Sequence, residues 1–179
     1  MDMKPMSRAD DLVKVKGLIR SVPFKGVNFW DIAPLLQSYD GLEAVTHAIS
    51  EEWRGKIDAV VALDARGFIF GPLIAHRLKL PFVMVRKEGK LPGDVVSVTY
   101  DLEYGTDTIE MQRDALPKGT RVLVVDDVLA TGGTACATQE LVYKVGAHVV
   151  GFAFVIELPF LKGRAKLGNV PVTSLVQYD

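Results

Sequence analysis

The spacing of apolar residues predicts two amphipathic helices near the start of the chain. Residues 10–20 and 42–53 carry apolar side chains three and four positions apart, which places those side chains on one helix face. Ser7 or Asp10 can cap the first of the two helices. Residues 21–30 contain proline and glycine without a helical period, so we expect an ordered loop rich in large apolar side chains there.

After these helices, short runs of branched apolar residues alternate with helical segments. Helical patterns cover residues 68–78 and a later segment that aligns Ala137, Leu141 and Val145. The runs of strand type are residues 57–63, 81–85, 121–125, 149–156 and a shorter one at 172–176. Buried strands that alternate with crossover helices form parallel sheets. The pattern therefore predicts an α/β fold with a parallel central sheet flanked by helices.

Residues 86–119 interrupt this alternation. Their first part is polar and contains glycine, and residues 95–100 and 108–111 alternate weakly between apolar and polar side chains. A structureless loop of this length is uncommon in a compact domain. We therefore expect a hairpin arm or a functional loop that projects from the sheet.

Composition and charge place the chain among globular proteins. It has 179 residues, of which 49% are hydrophobic and 24% are charged. This fits one domain and excludes a disordered chain. Lys+Arg 21 against Asp+Glu 22 leaves a formal charge of −1, so no basic field favours nucleic acid as a partner.

Cysteine content and hydropathy bear on the cellular compartment. Cys136 is the single cysteine of the sequence and cannot form an intramolecular disulfide, which favours a reducing, cytoplasmic compartment. The first residues lack the apolar core of a signal peptide. No uncharged apolar run reaches the roughly 18 residues that a membrane span needs. We expect a cytoplasmic protein without a membrane partner, and Cys136 buried in a helix.

The strongest chemical signal is a pair of carboxylates followed by a glycine-rich turn. Asp126 and Asp127 come at the end of a predicted strand, and residues 130–134 read Ala-Thr-Gly-Gly-Thr before a helix. Parallel sheets bind ligands at the carboxyl ends of their strands. Gly132 and Gly133 allow positive φ and close approach, so that successive N–H groups can point at one anion. With the threonine hydroxyls and the helix N-terminus, this segment predicts a phosphate-binding loop.

The carboxylates restrict what this phosphate can belong to. Carboxylates near a bound phosphate repel it unless they contact neutral hydroxyls or a metal on the same ligand. A phosphorylated sugar meets this condition, with its ring hydroxyls on Asp126 and Asp127. The segment is neither a Walker loop nor a dinucleotide fingerprint, because both glycine patterns are absent from it. The alternative is that Asp126 is a plain helix cap and the two glycines only form a turn.

Four segments together resemble a known family. Residues 124–134 resemble the phosphoribosyl pyrophosphate signature of type I phosphoribosyltransferases. Residues 63–71, 85–93 and 100–107, the last containing Leu-Glu-Tyr-Gly, resemble the adenine phosphoribosyltransferase branch. The similarity runs from about residue 19 to residue 178, with the motifs in the expected order.

This resemblance implies a fold and an activity. It implies a single Rossmann-like domain over residues 1–179, with an N-terminal hood at about 1–40 and a flexible β-hairpin flap at about 87–112. The implied reaction transfers the 5-phosphoribosyl group from phosphoribosyl pyrophosphate to adenine, giving AMP and pyrophosphate, in purine salvage. Mg²⁺ would be the cofactor, held mainly by phosphoribosyl pyrophosphate and not directly by protein ligands. The resemblance also implies a homodimer and a cis peptide bond between Asp64 and Ala65.

The resemblance further assigns roles to individual residues. The 5-phosphate would be held by Ala130, Thr131, Gly132, Gly133 and Thr134, and the ribose hydroxyls by Asp126 and Asp127. The pyrophosphate would face Arg66, Arg86, Lys87 and Lys90. The adenine would lie against Asn28, Phe29 and Arg66. Glu103 would be the catalytic acid near purine N7, and Tyr104 would close the flap.

The chain departs from the family pattern at two places, and two other functions stay open at this point. Trp30 stands where the family usually has arginine, and the loop at residues 21–26 is about two residues shorter than the common form. Transfer to hypoxanthine, guanine or xanthine is the nearer alternative activity. The other is a regulator that binds phosphoribosyl pyrophosphate and acts on nucleic acid, although the net charge of −1 does not favour it.

Overall fold

A computed structural model describes residues 7–24, 26–102 and 105–179 of the chain. Its helices are α1 (Arg8–Gly17), α2 (Ala33–Leu36), α3 (Tyr39–Trp53), α4 (Gly67–Leu78) and α5 (Gly133–Lys144). Its strands are β1 (Arg20–Phe24), β2 (Val27–Asp31), β3 (Ala59–Leu63), β4 (Phe82–Lys87), β5 (Val95–Asp101), β6 (Thr106–Gln112), β7 (Arg121–Leu129), β8 (His148–Glu157) and β9 (Val172–Gln177). Two short 3₁₀ helices, Pro159–Leu161 and Gly163–Leu167, lie between β8 and β9.

The central sheet is mixed, with a parallel core. Its seven strands follow the order β5-β6-β4-β3-β7-β8-β9. The five strands from β4 to β9 in this order pair in parallel, whereas β6 pairs antiparallel with both β4 and β5. The predicted parallel α/β sheet is therefore confirmed, and the hairpin of residues 95–112 extends it at one edge.

Helices cover the sheet on both faces. Every residue of β3 is buried. Val61 and Leu63 belong to the core on the face of α5, whereas Val60 and Ala62 belong to the core on the face of α3 and α4. This alternation follows from the two-residue period of a strand. It explains why the strands of this sheet appear in the sequence as continuous apolar runs.

The first helix is capped and anchored by polar contacts. Ser7 and Asp10 form a reciprocal capping box at the start of α1, as the sequence suggested. Asp11 is fully buried, and its Oδ2 lies 2.6 Å from Nδ1 of His47 on α3. These contacts fix the N-terminal helix against α3.

The expectation of a loop at residues 21–30 is wrong. β1 and β2 form an antiparallel hairpin in which Phe24 pairs with Val27. Gly26 in the turn has a φ of +84°, the left-handed conformation that tight hairpin turns need. Pro23 is tolerated because this two-stranded ribbon leaves it an unpaired edge. Large apolar residues on both faces of β2 hide the alternation by which such a strand is recognised.

Two further elements differ from their predicted extent. β7 continues to Leu129, so Asp126 and Asp127 lie within the strand and not after it. Cys136 is exposed, so its predicted burial is wrong. None of the helices in the described ranges has the length and apolar character that a membrane crossing demands.

Candidate active site

The parallel strands bring the predicted site residues together at their carboxyl ends, on one side of the sheet. Asp64 follows β3, Arg86 lies near the end of β4, and Asp126 and Asp127 lie in the second half of β7. These three strands are neighbours. Arg86 Nε donates a hydrogen bond to Asp64 Oδ2 at 3.0 Å. The peptide bond between Asp64 and Ala65 is cis, as the resemblance implies.

Arg66 lies beside a buried carboxylate. It directly precedes α4, and its Nε is 2.8 Å from Oδ2 of Asp127. Asp127 is only 4% exposed. The two groups form an ion pair, but the N–H of Arg66 does not point at the oxygen well enough for a hydrogen bond. This buried oxygen therefore accepts no hydrogen bond from the described part of the chain. A hydroxyl of a ligand can supply the missing donor.

Burial and proximity make a second negative charge on the pair unfavourable. Burial raises the pKa of Asp126 well above its ordinary value, and the charge of Asp127 raises it further. Burial also raises the pKa of Asp127, against the opposing effect of Arg66. Hydroxyl donors or a nearby cation would favour the ionised forms of both groups. The pair therefore suits sugar hydroxyls and not a further anion.

The loop between β7 and α5 has the form of an anion-binding turn. A cavity of about 80 Å³ borders residues 128–135, together with Asp126 and Phe154. Gly132 is the N-cap of α5 and, as a glycine, has no side chain that could accept from the first N–H groups of this helix. Such N–H groups, at the positive end of the helix dipole, bind phosphate well. The structure thus brings together all five residues predicted to hold the 5-phosphate.

The two glycines of this loop have different reasons to be glycine. Gly132 has a φ of +78°, and a Cβ there would lie 2.5 Å from the carbonyl oxygen of Gly163. Gly133 has no positive φ, and a Cβ there would meet the nearest atom, on the ring of Tyr100, at 3.6 Å. Both glycines allow positive φ, but only Gly132 adopts it. Only Gly132 is required by the backbone.

A segment far along the chain supports the loop from behind. A Cβ on Gly163 would lie 2.1 Å from the carbonyl oxygen of Ala130, so the two backbones are in direct contact. The neighbouring Arg164 donates two hydrogen bonds to the buried Glu157, one to each carboxylate oxygen. This ion pair lowers the pKa of Glu157. This support was not predicted, because the basic cluster at residues 162–166 has the pattern of an ordinary solvated surface.

Two of the four cations predicted to face the pyrophosphate line a second cavity, and Arg66 and Lys90 do not. A space of about 350 Å³ is lined by Arg86 and Lys87, together with Asp126 and Thr134 from the β7–α5 side. Lys87 Nζ is 2.9 Å from Oδ2 of Asp107, and this contact raises the pKa of Lys87. The cavity therefore contains cations beside both the carboxylate pair and the phosphate loop.

Lys90 is placed differently from the other predicted cations. Its side chain is exposed and does not line this cavity. Its backbone oxygen accepts a hydrogen bond from Arg86 at 3.3 Å. The structure thus unites Arg86 and Lys87 at the site and leaves Lys90 at its border.

The three hood residues on β2 have different surroundings. The guanidinium of Arg66 lies 5.6 Å from the ring centre of Phe29, so Phe29 reaches the predicted site. Asn28 is exposed, and no cavity described above contains it. Trp30 stacks on Tyr178 with ring centres 3.6 Å apart and planes 11° from parallel. The tryptophan at this unusual position therefore packs against the C-terminal segment.

Two predicted residues lie outside the described part of the chain. Glu103 and Tyr104 fall between Leu102 and Gly105, whose backbone N–H and carbonyl oxygen are hydrogen-bonded at 2.9 Å. Leu102 itself lines the cavity that contains Arg86 and Lys87. The roles of Glu103 and Tyr104 stay predictions.

The residues present fit a magnesium ion carried by a substrate. Within the described ranges, no three His, Cys, Asp or Glu side chains form a group that could hold a metal ion. Mg²⁺ usually keeps several waters and binds one or two carboxylates together with substrate phosphates. Asp126 and Asp127 supply such oxygens, including the unsatisfied Oδ2 of Asp127.

Comparison with known proteins agrees with this geometry. The family model described as phosphoribosyl transferase domain matches residues 31–169. An adenine phosphoribosyltransferase from Trichodesmium erythraeum is 51% identical over 170 residues, which cover 93% of this chain and 100% of the relative.

Solved structures are similar over nearly the whole chain. An adenine phosphoribosyltransferase from Thermoanaerobacter pseudethanolicus has a TM-score of 0.89 and 43% identity, covering 93% of this chain and 99% of its own. One from Saccharomyces cerevisiae, complexed with an imino-altritol bisphosphate and adenine, has a TM-score of 0.89 and 40% identity. That match covers 94% of this chain and 99% of the yeast chain.

The two glycines of the loop provide a matched test. Gly132→Ala forces a side chain into left-handed backbone and against the carbonyl of Gly163, so we expect binding of ribose 5-phosphate to weaken at least about tenfold, given a cost of about 1–2 kcal/mol for the backbone alone. Gly133→Ala meets only ordinary contacts and should bind within about threefold of the parent. Titration calorimetry of both variants measures this difference. Equal affinities would show that Gly132 does not shape the loop.

Proposed function

The chain belongs to the adenine phosphoribosyltransferase family, and from this membership we propose a role for each part of the site. The chain is an enzyme that transfers the 5-phosphoribosyl group from phosphoribosyl pyrophosphate to adenine, with AMP and pyrophosphate as products. One observation supports the proposed roles more strongly than any other observation. The glycine loop, Asp126 and two cations border adjacent cavities at the carboxyl ends of the strands, and Asp127 follows Asp126 directly in β7.

The loop and the carboxylates would hold the ribose 5-phosphate part of the substrate. Residues 130–134 would bind the 5-phosphate through backbone N–H groups and the two threonine hydroxyls. Asp126 and Asp127 would accept the ribose 2- and 3-hydroxyls, which supply the donor that Oδ2 of Asp127 lacks. With the 5-phosphate on the loop and the ribose hydroxyls on the carboxylates, the ribose ring would be held at both ends. This would fix the position of its anomeric carbon.

The cations would act on the leaving group. The purine N9 attacks the anomeric carbon while the bond from this carbon to the pyrophosphate oxygen breaks, through an oxocarbenium-like state. Negative charge grows on the leaving pyrophosphate, so Arg86, Lys87 and Arg66 would stabilise the transition state more than the ground state. Lys90 would join them from the border of the site. Mg²⁺ carried in with the substrate beside Asp126 and Asp127 would supply positive charge that neutralises part of the same negative charge.

The hood and the hairpin would enclose the base. Phe29 and Arg66 would contact the adenine ring, with Asn28 beside them on β2. The flap, residues 87–112, would exclude water, because water would otherwise hydrolyse the sugar pyrophosphate. Tyr104 would close over the site. As N9 attacks, the carboxylate of Glu103 would accept the proton that leaves purine N7 and so offset the positive charge that grows on the ring; in the reverse reaction it would return this proton as the acid.

Further proposals concern organisation and location. We propose that residues 1–179 form a single domain with the hood at about 1–40, and that the protein is a homodimer, as the resemblance implies. Tyr39 at the start of α3 and Leu73 on α4 are exposed apolar residues that line one open cavity, and they support an interface there. The single cysteine supports a cytoplasmic location.

Release of pyrophosphate tests the activity and its specificity. We expect the purified chain to release pyrophosphate from phosphoribosyl pyrophosphate with adenine, more slowly with hypoxanthine or guanine, and not after chelation of Mg²⁺. Addition of Mg²⁺ should restore the rate. Faster turnover of another purine would overturn the specificity, and undiminished turnover with chelator would overturn the metal requirement.

Glu103→Gln tests the proposed catalytic acid. The amide keeps the size of the side chain but removes the charge and the proton, so turnover at saturating substrates should fall by about 10²–10⁴-fold. The dissociation constant of phosphoribosyl pyrophosphate should change less than about threefold, because the carboxylate would face the base. Glu51→Gln, at an exposed position on α3, is the matched control and should keep the parental rate. A Glu103→Gln rate within about threefold of the parent would exclude the proposed acid.

A further inference from the structure

One side-chain hydrogen bond joins the β5–β6 hairpin to the phosphate loop. Tyr100 lies on β5, and its hydroxyl oxygen is 3.1 Å from Oγ1 of Thr134. The ring of the same tyrosine is the nearest neighbour of the Cβ position of Gly133, at 3.6 Å. Tyr100 also packs against the core on the face of α5. Its hydroxyl is therefore held at the loop by a well-supported ring.

The position of this contact relative to the cavities suggests a role in substrate binding. Tyr100 and Thr134 line the cavity of about 350 Å³ that contains Arg86 and Lys87. They also line a second space of about 500 Å³ that contains Thr131 and Gly133. The hydrogen bond thus lies between the region of the pyrophosphate cations and the phosphate loop.

The hydroxyl chemistry explains what the contact can do. A threonine hydroxyl has one proton to donate and two lone pairs that accept. If Thr134 donates its proton to a phosphate oxygen, its own oxygen can accept the proton of Tyr100. Burial raises the pKa of Tyr100, so the phenol keeps this proton at neutral pH. Hydrogen bonds in such a chain polarise and strengthen one another.

We propose that Tyr100 is a positioning residue for the 5-phosphate, whose hydroxyl orients the Thr134 hydroxyl toward the phosphate and holds the hairpin against the loop. This inference rests on the proposed function, since it takes residues 130–134 as the 5-phosphate site. Tyr100 would act through Thr134 and would not itself touch the reacting atoms.

Tyr100→Phe removes only the hydroxyl and tests the inference directly. We expect the dissociation constants of phosphoribosyl pyrophosphate and AMP, measured by calorimetry, to rise about three- to tenfold, as for one lost hydrogen bond to a polar site. Pyrophosphate carries no 5-phosphate, so its dissociation constant should stay within about 1.5-fold. Tyr143→Phe is the control, because its hydroxyl contacts only Gln139 on α5 among the described residues.

A double-mutant cycle separates positioning from general damage. In Thr134→Val the partner hydroxyl is missing, so adding Tyr100→Phe should weaken AMP binding no further than about 1.5-fold. Unchanged AMP affinity in Tyr100→Phe, an equal loss for pyrophosphate, or full additivity in the double variant would each overturn the inference. If the parent chain binds AMP but does not form it from adenine, the proposed function fails, and the titrations still decide the role of Tyr100.

Discussion

The site depends on two adjacent carboxylates, the buried Asp127 and the half-buried Asp126, in the second half of a central strand. Isolated buried charges are strongly destabilising, so such a pair needs positive groups around it. Arg66 supplies a guanidinium to Asp127. The start of α4 supplies the positive end of a helix dipole, because Gly67 brings this helix so close that a Cβ there would lie 3.2 Å from Oδ1 of Asp126. Neither group supplies a hydrogen-bond donor to every carboxylate oxygen, because Oδ2 of Asp127 still lacks one. The hydroxyl groups of a sugar can supply the missing donor.

The phosphate loop depends in turn on backbone contacts made from a distance. Gly132 turns the chain into α5 with a positive φ, and Gly163 packs directly against the same loop. Arg164 follows Gly163 and pairs with the buried Glu157 at the end of β8, and this ion pair fixes the position of Gly163. The loop is therefore held between the strand that precedes it and a 3₁₀ helix some thirty residues later. A rigid loop of this kind lowers the cost of ordering the site when the ligand binds.

The sequence predicted the parts of this structure that local pattern determines. The five parallel strands, the two covering layers and the loop at residues 130–134 follow from apolar runs and from one continuous motif. The β1–β2 hairpin was missed because apolar residues on both its faces obscure the two-residue period. Tyr100 and Gly163 were missed for a different reason, since each acts on the loop through a contact between distant segments. Gly133 shows the limit of motif reasoning, because the motif alone does not tell which of the two glycines adopts the positive φ that both allow.

We propose that the carboxyl ends of the parallel strands hold the 5-phosphate and the ribose at two adjacent sites. A crystal structure of the protein with AMP tests this proposal most directly. We expect phosphate oxygens within hydrogen-bond distance of the N–H groups of residues 131–134, ribose hydroxyls on Asp126 and Asp127, and adenine beside Phe29 and Arg66. A phosphate bound instead to Arg86 and Lys87, with the ribose away from the carboxylate pair, would contradict it.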